Sequence, residues 1–557
     1  MLEVRNVRVG LAHAGAQGAP CDPAYLAGVV ARELGLTARD IEGCSVARRA
    51  VDARRKTDVH FVVTAHARLR GGEAAERRLV GSLASDSVRM WEPPAFDQPL
   101  LGREVADERE RPVVIGAGCA GLFCALVLAR AGARPVLVER GDDPRTRTRA
   151  IRGFERTGEL DPESNVQFGC GGAGMFSDGK LTTGTKSPAI PWVLREMAAA
   201  GAPDDILWEA RPHVGSDYLP RVVEGILAQL ERLGADVLLR TRADELVVEG
   251  GRVTGVRVSP TLPAGQGAGP GPKTIACESV VLACGHSARD TYRSLLDAGV
   301  EMRRKPFAMG ARVEHLQASI DRAQYGSVAG NPALPPADYK LSCHLGDGRG
   351  VFTFCMCPGG HVVAAASEPG GVVTNGMSEF ARDARNANSA LLVGIDPADL
   401  PGDDVLAGVE LQRRCERRAF ELGGGSFAAP AQRVGDFLAG RPSTRPGEVE
   451  PSYPRGVRWG AVDGALPDFV AQAMRAGLRQ MGRRLRGFDA ADAVLTAPES
   501  RSSAPVRVVR DEGRQSVSTR GLFPCGEGGG YAGGIMSAAT DGVATARAVI
   551  ERMSARS

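Results

Sequence analysis

Three glycines and one acid in the first third of the chain have the types and spacing to bind a dinucleotide. Gly116, Gly118 and Gly121 follow the apolar run Val113–Ile115 at the spacing G-x-G-x-x-G. The first glycine permits a sharp turn, the second lets the backbone approach a pyrophosphate, and the third lets a helix pack closely on a sheet. Glu139 follows where an acid accepts the ribose hydroxyl groups. This pattern predicts a bound dinucleotide.

A second group of residues could move protons beside such a ligand. The candidates for a general acid or base are Lys180, Asp178, His286, Glu499 and Tyr531. Each of these residue types is more commonly structural, as an ion pair, a turn residue or a satisfied polar group. None of the five is therefore preferred from the sequence.

The thiols of Cys170, Cys355 and Cys357 are candidates for redox chemistry. The run FTFCMCPGG predicts a strand entering a turn, so that Cys355 and Cys357 face one side with Cα atoms about 6.6 Å apart. That separation is at the long end for a disulfide. The favoured alternative is that all three are small packing residues, because no adjacent base marks them as activated. No other run has metal-ligand spacing, and no metal site is predicted.

The elements that would position these residues alternate between strands and helices. Strands are predicted at 113–115 and 135–138, on either side of a helix at 122–130. The glycine-rich stretch 165–186 suits backbone that lies close against a flat ligand. A buried strand runs into a glycine turn at 279–290, and the tail 522–553 has the pattern strand, glycine loop, helix. This alternation predicts an α/β fold.

The chain divides into a small N-terminal module and a larger body. Strands near 4–9 and 59–69 and a helix at 25–34 suggest a ferredoxin-like α/β module. The basic run ARRAVDARRK at 47–56 could bind RNA or an acidic partner, but it lacks interleaved aromatic residues, which favours a solvated edge. A loop is predicted at 261–273. The predicted domains are the module and linker at 1–105, a nucleotide-binding domain at 110–300, a substrate or cap domain at 301–494, and the remainder of the nucleotide-binding domain at 495–557.

The composition is that of an ordinary soluble protein. The 557 residues are 43% hydrophobic and 24% charged, which suits two or three domains. A net charge of +3 gives no overall field that favours nucleic acid. No apolar run has the length of roughly 18 residues that a membrane helix needs, and the N-terminus lacks a signal-peptide core. We expect a cytoplasmic protein with reduced thiols and no membrane partner.

Longer motifs resemble known flavoproteins. The nucleotide motif, the strand and turn VVLACGH, and the terminal strand, loop and helix at Cys525 resemble FAD-binding proteins of the glutathione-reductase type. More closely, FSDGKLTT, KPFAMGARVEH, TNGMS and GEGGGYAGGIMSAATDG resemble a family of bacterial FAD-dependent dehydrogenases. The resemblance covers nearly the whole chain. It implies a Rossmann-like FAD-binding domain with an inserted mixed α+β substrate domain.

The same resemblance implies which residues contact a non-covalent FAD. Gly116, Gly118 and Gly121 would hold the pyrophosphate, and Glu139 the AMP ribose. The other implied contacts are Cys119, Ala120, Arg140, Gly171, Gly172, Ala243, Cys284, Gly285, Gly526, Glu527, Gly533, Gly534 and Ile535.

The sequence departs from the family pattern at two cysteines. Cys119 stands where proline is more usual, and this change should not harm FAD binding. Cys170 stands where glutamate is expected, and it could change the chemistry beside the flavin ring.

The predicted function is that of an FAD-dependent oxidoreductase, a dehydrogenase or reductase, which transfers a hydride between flavin N5 and a small organic substrate. One alternative is a flavin monooxygenase, although the loop GEGGGYAGG differs from the GD-type loop common in those hydroxylases. Another is a flavin-dependent protein that modifies or binds nucleic acid through its N-terminal module. Because one G-x-G-x-x-G has a complete strand-turn-helix-strand context, NAD(P)H is expected at most as a transient reductant. An electron-carrier protein is a further candidate partner.

Overall fold

The N-terminal module has the element order β-α-β-β-α-β. A computed structural model describes residues 1–16, 18–83, 85–262 and 271–555, so most of the loop predicted at 261–273 lies outside the described residues. The elements of the module are β1 (Leu2–Val9), α1 (Pro23–Glu33), β2 (Ile41–Asp52), β3 (His60–Leu69), α2 (Gly72–Ser82) and β4 (Val88–Met90). The strands pair antiparallel in the order β2-β3-β1-β4. This connectivity is the ferredoxin-like arrangement that the sequence suggests.

Alternation along β3 explains how the module buries one face of its sheet. Phe61, Val63, Ala65 and Ala67 are buried, and the residues between them are more exposed. These side chains belong to an apolar core that continues into the large sheet described below. The module is therefore held to the body of the protein by packing as well as by its linker.

Arg49 lies inside the predicted basic edge, yet it is buried where the module meets the rest of the chain. Its guanidinium donates to Glu209 Oε1 at 3.0 Å and to the carbonyl oxygens of Ala14 and Ala19 at 2.6 and 2.8 Å. It also lies 4.7 Å from the ring centroid of Trp208. The prediction of a solvated edge is wrong at this position, because a carboxylate and two carbonyl groups compensate the buried charge. The residues of the run that are exposed as predicted are Arg48, Arg54, Arg55 and Lys56.

A five-stranded parallel sheet begins after the linker. The elements of this part are β5 (Val113–Ile115), α3 (Cys119–Arg130), β6 (Val136–Val138), α4 (Pro144–Thr157), α5 (Ile190–Ala199), α6 (Leu219–Arg232), β7 (Asp236–Leu238), β8 (Thr241–Glu249), β9 (Arg252–Pro260), β10 (Lys273–Ala276), β11 (Val280–Leu282) and α7 (Arg289–Asp297). The strands β8, β9 and β10 form a separate antiparallel sheet. The other strands belong to the parallel sheet.

A seven-stranded mixed sheet forms the core of the next part. The elements are β12 (Met302–Arg304), β13 (Phe307–Leu316), α8 (Gln317–Tyr325), β14 (Ser342–His344), β15 (Gly350–Cys357), β16 (His361–Ala364), β17 (Thr374–Met377), β18 (Asn386–Ile395), α9 (Ala407–Leu422), β19 (Ala429–Arg433), α10 (Val434–Leu438), β20 (Val457–Trp459), α11 (Asp468–Arg484) and β21 (Val494–Glu499). The sheet order is β14-β15-β18-β13-β21-β19-β20. The domain boundary predicted at 494/495 falls inside β21. Because that strand pairs with β13 and β19, this sheet extends to Glu499.

The chain then returns to the parallel sheet. The last elements are β22 (Val506–Val508), β23 (Leu522–Pro524) and α12 (Ile535–Ser554). Strand β23 pairs parallel with β11 and completes the order β23-β11-β5-β6-β7. Helix α12 packs on α3, whose residues from Ala120 to Ala129 are all buried. The ends of β5, β6 and β11 therefore open toward one site between the two sheets. Among the described residues, no helix is long and apolar enough to span a bilayer.

Replacing Arg49 should show how strongly the module is attached. Arg49→Ala leaves Glu209 and two carbonyl groups without their partner, so we expect the free energy of unfolding to fall by about 3–5 kcal/mol. Urea denaturation followed by tryptophan fluorescence measures this, since Trp208 adjoins the site. The matched control is the exposed neighbour Arg48→Ala, which should change stability by no more than about 0.5 kcal/mol. Equal effects of the two substitutions would contradict the anchoring role of Arg49.

Candidate functional site

A cavity of about 550 Å³ lies between the parallel sheet and the seven-stranded sheet. One wall is formed at the carboxyl ends of β5, β6 and β11, where ligands bind in open α/β sheets. The opposite wall includes residues of β15, β17 and β21. The volume is within the range of small-molecule and cofactor sites.

Two glycines of the nucleotide motif are required by backbone packing. A Cβ atom on Gly116, which has a φ of +99°, would lie 2.4 Å from the carbonyl oxygen of Ala283. A Cβ atom on Gly121 would lie 1.8 Å from the carbonyl oxygen of Gly116. These contacts allow the turn after β5 to pass close to β11 and to the start of α3.

Three other glycines face the cavity itself. A Cβ atom on Gly285 or Gly534 would meet no protein atom within 4 Å. On Gly118 it would approach only the Cα atom of Gly172, at 3.7 Å. Side chains at these positions would therefore occupy the space of a ligand. Gly118, Gly285 and Gly534 thus line a recess, here called the glycine cradle. The glycine cradle fits a phosphate-bearing group that the backbone must approach closely.

Two helices begin at this cavity. Gly118 is the N-cap of α3 and Gly534 is the N-cap of α12, and neither helix start is capped by a side-chain hydrogen bond. The first amide groups of each helix are thus available to an anionic ligand, together with the positive end of the helix dipole.

Glu139 holds the backbone around the cavity. Its carboxylate accepts hydrogen bonds from the amides of Ala117 at 2.8 Å and of Gly141 and Gly169 at 3.0 Å. The side chain lies in the cavity wall, where the remaining lone pairs can accept ribose hydroxyl groups. The acid that the sequence singled out thus also fixes three segments of the wall.

Arg147 has a complementary role that the sequence did not indicate. Helix α4 begins where Asp143 accepts hydrogen bonds from the amides of Arg145 and Thr146, and it directs Arg147 into the protein. The fully buried guanidinium donates to five carbonyl groups, which belong to Asn165, Val166, Gly169, Cys170 and Gly172. Burial lowers the pKa of Arg147 to about 10, so it remains charged at neutral pH.

Most residues that the family resemblance implied lie in the cavity wall. These are Gly116, Gly118, Cys119, Ala120, Glu139, Arg140, Gly171, Gly172, Ala243, Cys284, Gly285, Glu527, Gly533, Gly534 and Ile535. Gly121 and Gly526 lie behind the wall. The amide of Gly526 donates to Asp541 at 2.8 Å, and a Cβ atom there would meet Ala120 at 2.6 Å.

Three of the five acid–base candidates, Lys180, His286 and Glu499, line the cavity, whereas Asp178 and Tyr531 do not. Asp178 is fully buried and accepts hydrogen bonds from Arg382 at 2.8 and 2.6 Å. Burial alone would raise the pKa of Asp178, but Lys180 and Arg382 lower it below its ordinary value. Both carboxylate oxygens are therefore used in ion pairs.

Tyr531 is also structural. Its hydroxyl donates to the carbonyl of Val508 and accepts from the amide of Arg510, both at 3.0 Å. The Arg510 guanidinium stacks on the ring, 3.6 Å from its centroid. Because its hydroxyl joins the terminal loop to β22, Tyr531 has the kind of structural role that is commoner for this residue type than proton transfer.

Glu499 belongs to a buried hydrogen-bonded network that links β21 to β13 in the seven-stranded sheet. Arg312 on β13 donates to its carboxylate at 2.7 and 3.2 Å, and to Asn375 Oδ1 at 2.8 Å. Burial raises the pKa of Glu499 to about 7, although Arg312 opposes this shift. Arg312 and Asn375 were not identified as site residues, yet they lie within the motifs KPFAMGARVEH and TNGMS.

Two further ionisable groups in the wall have altered proton affinity. Burial, together with the positive charge of Arg501, lowers the pKa of His286 to about 3, so its imidazole is neutral at physiological pH. Burial raises the pKa of Glu527 to about 7, with Lys305 acting in the opposite direction. Carboxyl groups that can hold a proton at neutral pH thus lie at two places in the cavity.

Cys170 does not reach the cavity. The side chain is fully buried, and burial raises the pKa of its thiol well above the ordinary value. A buried neutral thiol behind the wall fits the packing role that the sequence favoured for Cys170. Among the described residues, no group of three or more His, Cys, Asp or Glu is placed to hold a metal ion.

The pH dependence of stability should reveal the proton on Glu499. Because its pKa rises from 4.5 to about 7 on folding, the folded state retains a proton that the unfolded state has released. Wild-type stability should therefore lose this contribution as the pH rises from 5 to 7. We expect the melting temperature of FAD-free Glu499→Gln, relative to wild type, to increase over that window.

The control for this measurement is Glu416→Gln. Glu416 is also buried and paired with two arginines, but they hold its pKa below the ordinary value against the effect of burial. Its difference from wild type should be flat between pH 5 and 8. A difference for Glu499→Gln that falls with pH would show that Glu499 is an ordinary ionised partner of Arg312.

Models of protein families match four parts of the chain. Residues 306–502 match an FAD-dependent protein, C-terminal domain-like family, and residues 147–311 match an FAD-binding domain. Residues 114–178 match an NAD(P)-binding Rossmann-like domain. Residues 1–68 match a domain of unknown function.

Comparisons with individual proteins cover most of the chain. Among solved structures, glycine oxidase from Bacillus cereus has 10% identity over 80% of this chain and 95% of its own, with a TM-score of 0.34. Glycerol-3-phosphate dehydrogenase from Bacillus halodurans, complexed with FAD, has 12% identity over 81% and 65%, with a TM-score of 0.33. An uncharacterized protein from Clostridium beijerinckii is 42% identical over 524 residues, 94% of this chain and 95% of that protein. The 42% identity to the Clostridium beijerinckii protein, together with the matches to FAD-binding and FAD-dependent domain families, shows that the chain belongs to a family of FAD-dependent oxidoreductases.

Proposed function

We propose that this enzyme transfers a hydride between flavin N5 and a small organic substrate that binds against the seven-stranded sheet. The observation that carries the proposal is one continuous cavity. It joins the glycine cradle at Gly118 to a wall that contains Lys180, Cys355 and Glu499. FAD supplies the two-electron chemistry, and the protein supplies binding, orientation and electrostatics.

The path of the glycine-rich loop at 165–186 indicates how FAD would be oriented in the cavity. The amide of Gly171 donates to the carbonyl of Ala117 at 2.8 Å, beside the cradle. Further along, a Cβ atom on Gly174 would lie 3.2 Å from Ile535, at the start of α12. The loop then reaches Lys180. With the ribose at Glu139, the ring end of FAD would lie on the other side of the cradle, as in the glutathione-reductase type of site.

The protein would act on charge in two ways. The N-terminus of α12 at Gly534 would stabilise negative charge that develops on the pyrimidine side of the ring. Glu499 would hold or accept the substrate proton, because its pKa of about 7 lets it exist in both forms at neutral pH.

Positive side chains favour a substrate that carries a carboxylate. Lys180 and Arg382 both line the cavity and share one carboxylate, that of Asp178. One positive charge is therefore uncompensated within this group, and Lys340 adds another at the same wall. We infer that these cations bind the anionic group of the substrate and so orient the substrate. The anionic group is then held apart from the carbon that reacts.

Blocking the cradle should remove FAD without unfolding the protein. Gly118 has an ordinary φ of −77°, and its Cβ position opens into the cavity. Gly118→Val should therefore retain the wild-type circular dichroism spectrum and lose the yellow FAD that acid precipitation releases from the wild type. Gly153→Val, at a helical position with no atom within 4 Å of the Cβ site, should keep its FAD. A wild-type protein that folds but binds no FAD would sink the proposal.

Anaerobic flavin bleaching tests the reaction. The FAD-loaded enzyme would be mixed with NADH, with NADPH and with a panel of hydroxy and amino acids. Each acid would be compared with its own amide, in which the carboxylate is replaced by an uncharged group. We expect a carboxylate compound to reduce the flavin faster than its amide. Lys180→Met should remove this preference, and the exposed Lys186→Met should preserve it.

Two results would contradict this reaction. Equal rates with acids and amides would rule out the charge-based selection. Hydroxylation of an added compound when oxygen is admitted to the reduced enzyme would favour the monooxygenase alternative.

A further inference from the structure

The strand that carries Cys355 and Cys357 is deformed in the cavity wall. The pairing of β15 with β18 shifts register between Phe354 and Cys357, as in a β-bulge. Cys355 has a φ of +43°, a left-handed conformation that is uncommon for any residue except glycine. The two cysteines therefore do not sit in the extended geometry that the sequence predicts. Such local strain is common at functional sites.

The deformation turns the Cys357 thiol back toward Cys355. Cys357 Sγ donates to the Cys355 carbonyl oxygen at 3.2 Å. Cys355 lines the cavity, whereas Cys357 is fully buried behind it. One thiol is thus accessible to a ligand, and the second lies within reach of the first.

The two thiols also differ in acidity. The neighbouring Cys357 side chain lowers the pKa of Cys355 below its ordinary value, helped by Arg312 and Lys180 against the effect of burial. Burial raises the pKa of Cys357 well above its ordinary value. Each of the other ten cysteines has a raised pKa, so Cys355 alone is shifted toward the thiolate. These cysteines are Cys21, Cys44, Cys119, Cys124, Cys170, Cys277, Cys284, Cys343, Cys415 and Cys525.

We propose that Cys355 and Cys357 form a redox-active dithiol that exchanges electrons with the FAD bound in this cavity. This inference rests on the proposed function for the position of the flavin. In the oxidising direction two S–H bonds break and one S–S bond forms. The two electrons and two protons released are taken up by oxidised FAD, and the reverse transfer restores both thiols.

The arrangement assigns a different task to each sulfur. Cys355, which lines the cavity, is the one that exchanges with groups there. Cys357, held neutral and out of solvent, closes the disulfide. Arg312 donates to the Cys355 carbonyl at 2.8 Å and to Glu499, so the same guanidinium positions the dithiol and the carboxyl group.

Electron counting tests the dithiol. Fully oxidised wild type, titrated anaerobically with dithionite, should take up four electrons per FAD, two for the flavin and two for the disulfide. Cys355→Ser and Cys357→Ser should each retain FAD and take up two. The control is Cys44→Ser, in the N-terminal module and outside the cavity wall, which should still take up four.

Thiol alkylation provides a second readout that does not depend on activity or on the variants. In oxidised wild type the peptide containing both cysteines should resist alkylation until a reductant is added. Uptake of only two electrons by fully oxidised wild type, whose two thiols are both alkylated without added reductant, would overturn the dithiol and leave the hydride-transfer proposal intact. A protein that binds no FAD would overturn both.

Discussion

The cavity depends on two opposite charges that hold the same stretch of backbone. The Glu139 carboxylate accepts hydrogen bonds from amides on three segments, and the Arg147 guanidinium donates to five carbonyl groups of the glycine-rich loop. Glycines in such a loop have no side chains with which to fix it, and buried backbone groups must be paired. Glu139 and Arg147 together order this segment, because they pair amides and carbonyls that would otherwise need water molecules as hydrogen-bond partners. The loop can then lie against Gly118 and form one wall of the FAD site.

The second wall depends on a different buried charge. Arg312 is fully buried on β13, and its partners come from four other strands: Cys355 on β15, Asn375 on β17, Asn388 on β18 and Glu499 on β21. Removing any one of these acceptors would leave part of a buried guanidinium unsatisfied, which is costly in a low-dielectric interior. The residues proposed to move protons and electrons thus share one rigid support. Their geometry relative to each other is set by strand pairing and not by a flexible loop.

Local patterns predicted some of these features and could not predict others. The turn glycines, the acid after β6 and the alternation of strands and helices are encoded within short segments, and they were found from the sequence. Arg147 and Arg312 were missed because their partners are distant in the chain, and nothing in a single sequence pairs an arginine with remote carbonyls or a carboxylate. The same limitation explains Asp178 and Tyr531, which looked available but have partners on other segments. The bulge that joins Cys355 to Cys357 is likewise set by the neighbouring strand β18.

The parallel sheet is assembled from segments that are synthesised far apart in time. After Leu282 the chain leaves this sheet, builds the entire seven-stranded sheet, and returns only at Leu522. Helix α3 is apolar along its length, and its partner α12 follows the entire seven-stranded sheet in the chain. Domains are generally folded as units during translation, at roughly 5–20 residues per second. A nascent chain of this protein therefore exposes an apolar helix and an incomplete FAD site until α12 has been synthesised.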